Sequence, residues 1–117
     1  MADATDQKND GLKEVEAFGF KFTINPDLLD DVEAFELIDR IENKGQSAGI
    51  VELVKYMIGE KGLNDMKAHF RDEDAKLHAE QLKADGKPAD PDYKGRFRVS
   101  KLLKVYEVIV ANYDPKG

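Results

Sequence analysis

His69 and His78 are the only histidines of the chain, and nine residues of separation do not set two ligands on one helix face. Both read as surface or boundary side chains. Asp72, Glu73 and Asp74 look like the start of a calcium loop, but the glycine and terminal glutamate that such a loop needs are missing at the required offsets. Gly45 and Gly49, like Gly59 and Gly62, lack the lysine and the spacing of a phosphate-binding loop. Ser47 and Ser100 have no base or oxyanion site in their sequence context and read as helix caps. There is no cysteine, which removes disulfides, thiolate zinc sites and thiol catalysis. The expectation is a protein with no catalytic residue, no metal and no cofactor, whose function lies in its surfaces.

Composition narrows those surfaces. Hydrophobic residues make up 41% of the 117 positions and charged residues 36%, a globular balance sufficient for one domain with a modest core. A formal charge of -6 argues against nucleic acid and anionic membranes, both of which need a positive footprint. The first residues lack the basic start and apolar run of a signal peptide, and no stretch is long and apolar enough to span a bilayer, so a cytosolic protein is expected. A helix-turn-helix over Ser47–Phe70 fares badly, since its recognition helix would run into Arg71-Asp72-Glu73-Asp74, where the acidic residues would face phosphates.

The elements follow in chain order. Residues 1–16 read as a flexible acidic arm, and 17–117 as a single helical domain. Phe18, Phe20, Phe22 and Ile24 alternate with Gly19, Lys21 and Thr23 as a strand does; its partner is not identifiable, and it either pairs or lies across a helical layer. Asn25-Pro26 opens a helix with Leu28, Leu29, Val32, Phe35, Ile38 and Ile41 as its apolar stripe, closed at Asn43-Lys44-Gly45. Seven acidic residues and one basic residue lie between Asp27 and Asn43, giving either a solvated face or a docking face for a basic partner.

Ser47 caps a central helix with Ile50, Leu53, Val54, Met57 and Ile58 buried, and Leu63, Met66 and Phe70 carry a second pattern. Gly59 and Gly62 are the hinge of a helical hairpin or tight corner between them. Residues 75–95 read as a mobile excursion: a weakly anchored helix to Ala84, then a loop rich in proline and aspartate. A last helix starts at Ser100 with Leu102, Leu103, Tyr106, Ile109, Val110 and Tyr113 on its apolar side. Five basic residues between Lys94 and Lys104 could answer the acidic first helix, within one molecule or between subunits. The predicted class is mainly α: a small domain of four to five helices with a short N-terminal extended or β segment.

Three blocks of this sequence, FKFTINPDLLDDVEAFELIDRIE, GIVELVKYMIGEKGLNDMKAHFRDED and RVSKLLKVYEVIVANY, are similar in order and pattern to the tail assembly chaperones of long-tailed (siphovirus-type) bacteriophages of Gram-positive hosts. The resemblance covers Phe18 to Tyr113, and its most specific parts are Met57-Ile58-Gly59-Glu60, Phe70-Arg71-Asp72-Glu73-Asp74 and Val99-Ser100. In that family the acidic segment passes almost directly into the last helix, so Ala75–Gly95 looks inserted.

The resemblance implies a non-enzymatic chaperone in the host bacterial cytoplasm that coats the tape measure protein, recruits tail tube subunits, self-associates and is absent from the mature virion. It also implies a longer form made by programmed frameshift, for which the codons of Asp114-Pro115-Lys116 could supply a slippery heptamer. Tyr56, Met57, Tyr106 and Tyr113 are the expected partner-binding residues, gripping amphipathic segments of the tape measure protein in a helix-in-groove mode. For Met57 and Tyr106 a place in the core is the competing reading, because both sit within apolar stripes. The competing function is a small acidic phage or prophage adaptor or regulator that binds another protein.

Overall fold

The computed structural model describes residues 11–113. Its first element is a hairpin in which β1 (Lys13–Ala17) pairs antiparallel with β2 (Phe20–Ile24), Val15 opposite Phe22 and Lys13 opposite Ile24. Phe22 and Ile24 are buried while Lys21 and Thr23 face solvent, as a period of two requires. Phe18 and Gly19 both take positive φ, 51° and 81°, the condition for a two-residue turn whose twist matches the strands. Phe18 is therefore a turn residue and not part of the strand. The missing partner strand lies at the end of the stretch expected to be an arm, hidden there because Val15 and Ala17 are too brief an alternation to read. Residues 1–10 lie outside the described residues.

Asn25 caps the next element as expected, its side-chain oxygen accepting from the Asp27 N–H at 3.1 Å. That element is a short 3-10 helix, Pro26–Asp30, and the chain goes extended at Asp31 before α1 (Val32–Glu42) begins. The single helix expected here is thus two pieces, and the break changes which face is buried. Leu29 enters the core, but in α1 the buried residues are Ala34 and Leu37, and Val32 and Phe35 stand 67% and 69% exposed. The stripe read from sequence assumed unbroken helical phase through Asp31.

Helix α2 spans Gly49–Ala84 and is broken at Gly59, where φ 82° and ψ 168° are not helical. At about 100° per residue, an unbroken helix would carry Leu63, Met66 and Phe70 roughly 160° round from Ile50, Leu53, Val54 and Met57. All seven are buried in one core, so the break at Gly59 is what turns the second stripe back. Gly62 takes no part in the turn; a Cβ there would meet the Ile58 side chain at 3.0 Å. The cap position is Ala48 and not the expected Ser47, which lies in the turn before the helix with its carbonyl accepting from the Ile50 N–H.

The helix then continues beyond Asp74 to Ala84, so the first part of the 75–95 excursion is an extension of α2. Helix α3 (Val99–Val110) closes the molecule with Val105, Tyr106 and Ile109 buried. Val105 was not in the expected stripe, Leu103 from that stripe is exposed, and Ser100 lies in the first turn after an Arg98 cap. Among the described residues there are three α-helices, fewer than the four to five expected, because the two central patterns and the first half of the excursion form one broken helix. The core gathers where α1 packs on α2, α2 on β2, and α3 on β1 and α2.

Candidate functional site

The exposure of Val32 and Phe35 has a structural consequence. They form one wall of a groove of about 460 Å³, with Ile38 further along α1 and Leu29 from the 3-10 helix at its base. The opposite wall is Tyr106 and Val110 in the late part of α3, with Tyr113 three residues past its end. Asp30, Asp31 and Glu42 complete the lining, and among the described residues no basic side chain belongs to it. Two helices each offer an apolar edge at spacings of three or four residues, the arrangement that seats an amphipathic helix.

Hydrogen bonds fix the groove's polar edge. Tyr106 donates its hydroxyl to Glu42 across the groove, joining α3 to α1. Burial of the phenol, then this carboxylate, raises its pKa. Tyr56 donates to Asp31, which pushes its hydroxyl up to about 12, with a smaller contribution from desolvation. The same bond lowers the Asp31 carboxyl from its ordinary value. Both carboxylates are thus held in place while the apolar wall beside them is open.

Of the four residues expected to bind a partner, the structure brings Tyr106 and Tyr113 together in this groove. Tyr106 is 7% exposed and forms part of the floor, whereas Tyr113 is 42% exposed at the rim. Tyr56 is half-buried and reaches the edge only through Asp31. Met57 is a core residue at 5% exposure and is corrected from the partner-binding set, since helical spacing aims it at the same interior as Leu53 and Val54. Phe35, Val32, Ile38 and Val110 were missed as wall residues. Their signal is the apolar stripe of the acidic helix for Val32, Phe35 and Ile38 and that of the last helix for Val110, stripes that in sequence read as core.

The acidic end of the central stretch also acquires a role. Asp74 accepts from the hydroxyl of Tyr93, from the Arg96 N–H at 2.9 Å and from Arg98 Nε at 3.1 Å. These bonds, Tyr93 first, lower its pKa to about 2 against some opposing desolvation. Phe97 stacks on Phe70 with centroids 4.8 Å apart, and His78 stacks on Tyr93 at 3.9 Å. A Cβ on Gly95 would lie 2.0 Å from the Arg71 carbonyl oxygen, so the returning chain passes directly against α2. Phe70–Asp74 is a clasp that holds the two ends of the excursion at one point.

The basic segment is engaged there and not with the acidic first helix. Arg98 pairs with Asp74, Lys104 with Glu107, and Lys101 Nζ sits 3.8 Å from the centre of the Phe18 ring. Among the described residues no ion pair joins Lys94–Lys104 to Asp27–Asn43. His69 lies half-buried between Phe20 and Phe70, in keeping with a boundary histidine. Among the described residues no cluster of three potential ligands is placed to hold a metal ion, and no helix is long and apolar enough to cross a membrane. Asp114-Pro115-Lys116, the segment of the frameshift expectation, lies outside the described residues. Comparison with known proteins finds no matching family, no matching curated sequence and no matching solved structure.

Proposed function

We propose that this chain is a non-catalytic tail assembly chaperone of a long-tailed bacteriophage, acting in the host cytoplasm on the tape measure protein. The observation that supports the reading is the open groove between α1 and α3: an apolar wall with Phe35 at 69% exposure, facing Tyr106 and Tyr113. A long protein that must stay soluble before assembly presents many amphipathic helical segments, and a groove of this kind covers their apolar faces one at a time. Recruitment of tail tube subunits, self-association and a frameshifted longer form belong to the same proposal.

Co-expression tests it. The chain should raise the soluble fraction of the tape measure protein encoded beside it, and a Val32→Ser/Phe35→Ser double variant should not. Unchanged solubility with the unaltered chain would remove the chaperone role and leave the adaptor reading in its place.

A further inference from the structure

Wall and rim together specify what the groove takes. Its apolar residues on α1 run from Val32 to Ile38 and its acidic edge continues to Glu42, about 15 Å along the axis, or three turns of a seated helix. The carboxylates of Asp30, Asp31 and Glu42 flank the wall, and seven acidic residues against one basic residue occupy Asp27–Asn43 as a whole. Among the described residues, basic side chains that could answer this edge are engaged with other groups: Lys44 with Asp39, Arg98 with Asp74, Lys104 with Glu107 and Lys101 with the Phe18 ring. The one basic side chain of α1, Arg40, pairs with Glu52 on α2 and does not line the groove.

We infer that the groove binds a basic amphipathic helix: about three turns, apolar residues at i, i+3 or i+4, and i+7, with Lys or Arg on both flanks of that stripe. This deepens the chaperone reading by naming the chemistry of the bound segment, and it rests on the same groove. Two other occupants fit worse. A second copy docked groove to groove would bring one acidic wall against another, a like-charge contact that complementarity disfavours. The chain's own residues 1–10 and 114–117 offer Met1 as their only large apolar side chain, too little to cover the apolar wall.

The test uses two synthetic 16-residue peptides with the same Leu/Phe stripe and a single Trp, one flanked by Lys and Arg, the other by Glu. Because this protein has no tryptophan, the peptide's fluorescence reports binding directly. Three solvent-exposed ion pairs of ordinary strength separate the peptides by about tenfold in Kd at low salt. That gap should narrow as ionic strength rises. Val32→Ser/Phe35→Ser should weaken the basic peptide by at least tenfold while circular dichroism stays unchanged, since both positions are exposed. As the charge control, Asp30→Asn should reduce the preference with the apolar contact intact.

Equal affinity for the two peptides would overturn the inference, as would binding that survives the double variant. So would a concentration-dependent dimer abolished by the same variant, because the occupant would then be a second copy. The two proposals fail separately. A groove that prefers the basic peptide in a chain that leaves tape measure solubility unchanged keeps this inference and loses the chaperone. A chain that solubilises the tape measure protein but ignores both peptides does the reverse.

Discussion

Replacing Gly95 by alanine tests the clasp, and its cost can be worked from two separable terms. Gly95 has φ 76°, where a Cβ costs about 1–2 kcal/mol for any L residue. The added Cβ would also sit 2.0 Å from the Arg71 carbonyl oxygen, where carbon and oxygen need about 3.3 Å. The strands of the clasp must then separate by about 1.3 Å, at the ~1–3 kcal/mol typical of overpacking. The sum is about 2–5 kcal/mol. Gly45 supplies the control: its φ is 66°, but a Cβ there meets nothing within 4 Å, so Gly45→Ala should cost only the first term. For a chain of 117 residues each kcal/mol moves Tm by about 4 °C, so the shifts are about 4–8 °C for Gly45→Ala and 8–20 °C for Gly95→Ala. Calorimetry reads them, and hydrogen exchange of the Arg96 amide, bonded to Asp74, reads the clasp itself. A Gly95→Ala shift no larger than that of Gly45→Ala, with the Arg96 amide still protected, would refute the described path of the chain.

Three further outcomes follow from the same geometry. Asp74 titrates at about 2 when folded against 3.8 ordinarily, so its contribution is complete above pH 4 and is lost as pH falls toward 2; urea unfolding from pH 5 to 2 should show a shallower acid loss in Asp74→Asn than in the parent. Tyr56 and Tyr106 should ionise late in a titration followed at 295 nm, with Asp31→Asn moving Tyr56 down from about 12 toward 10.0 and Glu42→Gln lowering Tyr106. Their raised values mean that this contribution is full below pH 10 and disappears as pH climbs through the folded value. Excising residues 75–94 with a short Gly-Ser link should leave a cooperative thermal transition, because no buried core residue lies there; a chain without such a transition would make the excursion part of the folding unit.

How much of this was legible in the sequence depended on whether the local pattern and the tertiary phase agreed. Alternation from Phe20 to Ile24, the Asn25 cap, the Gly59 half of the expected hinge and the stripe of α2 up to Met57 are local signals, and each appears in the structure. The partner strand did not announce itself because Val15 is the only large apolar residue of β1. The groove was half-visible: Tyr106 and Tyr113 were found from α3 alone, but their opposite wall was assigned to the core. One extended residue, Asp31, resets the phase of α1 as its N-cap; aspartate favours that position, but Asn25-Pro26 already supplies a helix start and the apolar spacing runs on past Asp31. The clasp was out of reach for a different reason. Asp74 meets Tyr93, Arg96 and Arg98 across the loop, and such closure is set by the return path of the chain and not by any spacing along it.

Gly59 carries a consequence for the number of chains in one fold. Its φ and ψ lie in a region essentially closed to other residues, and alanine there would favour one continuous 36-residue rod about 54 Å long. On that rod Leu63, Met66 and Phe70 would point away from the half that holds Leu53 and Met57, stranded from their own core. A second rod could bury them by exchanging distal halves, each chain completing the other's interior. The turn at Gly59 thus returns the distal stripe to the core of its own chain, where a Gly59→Ala chain would have to seek a twin.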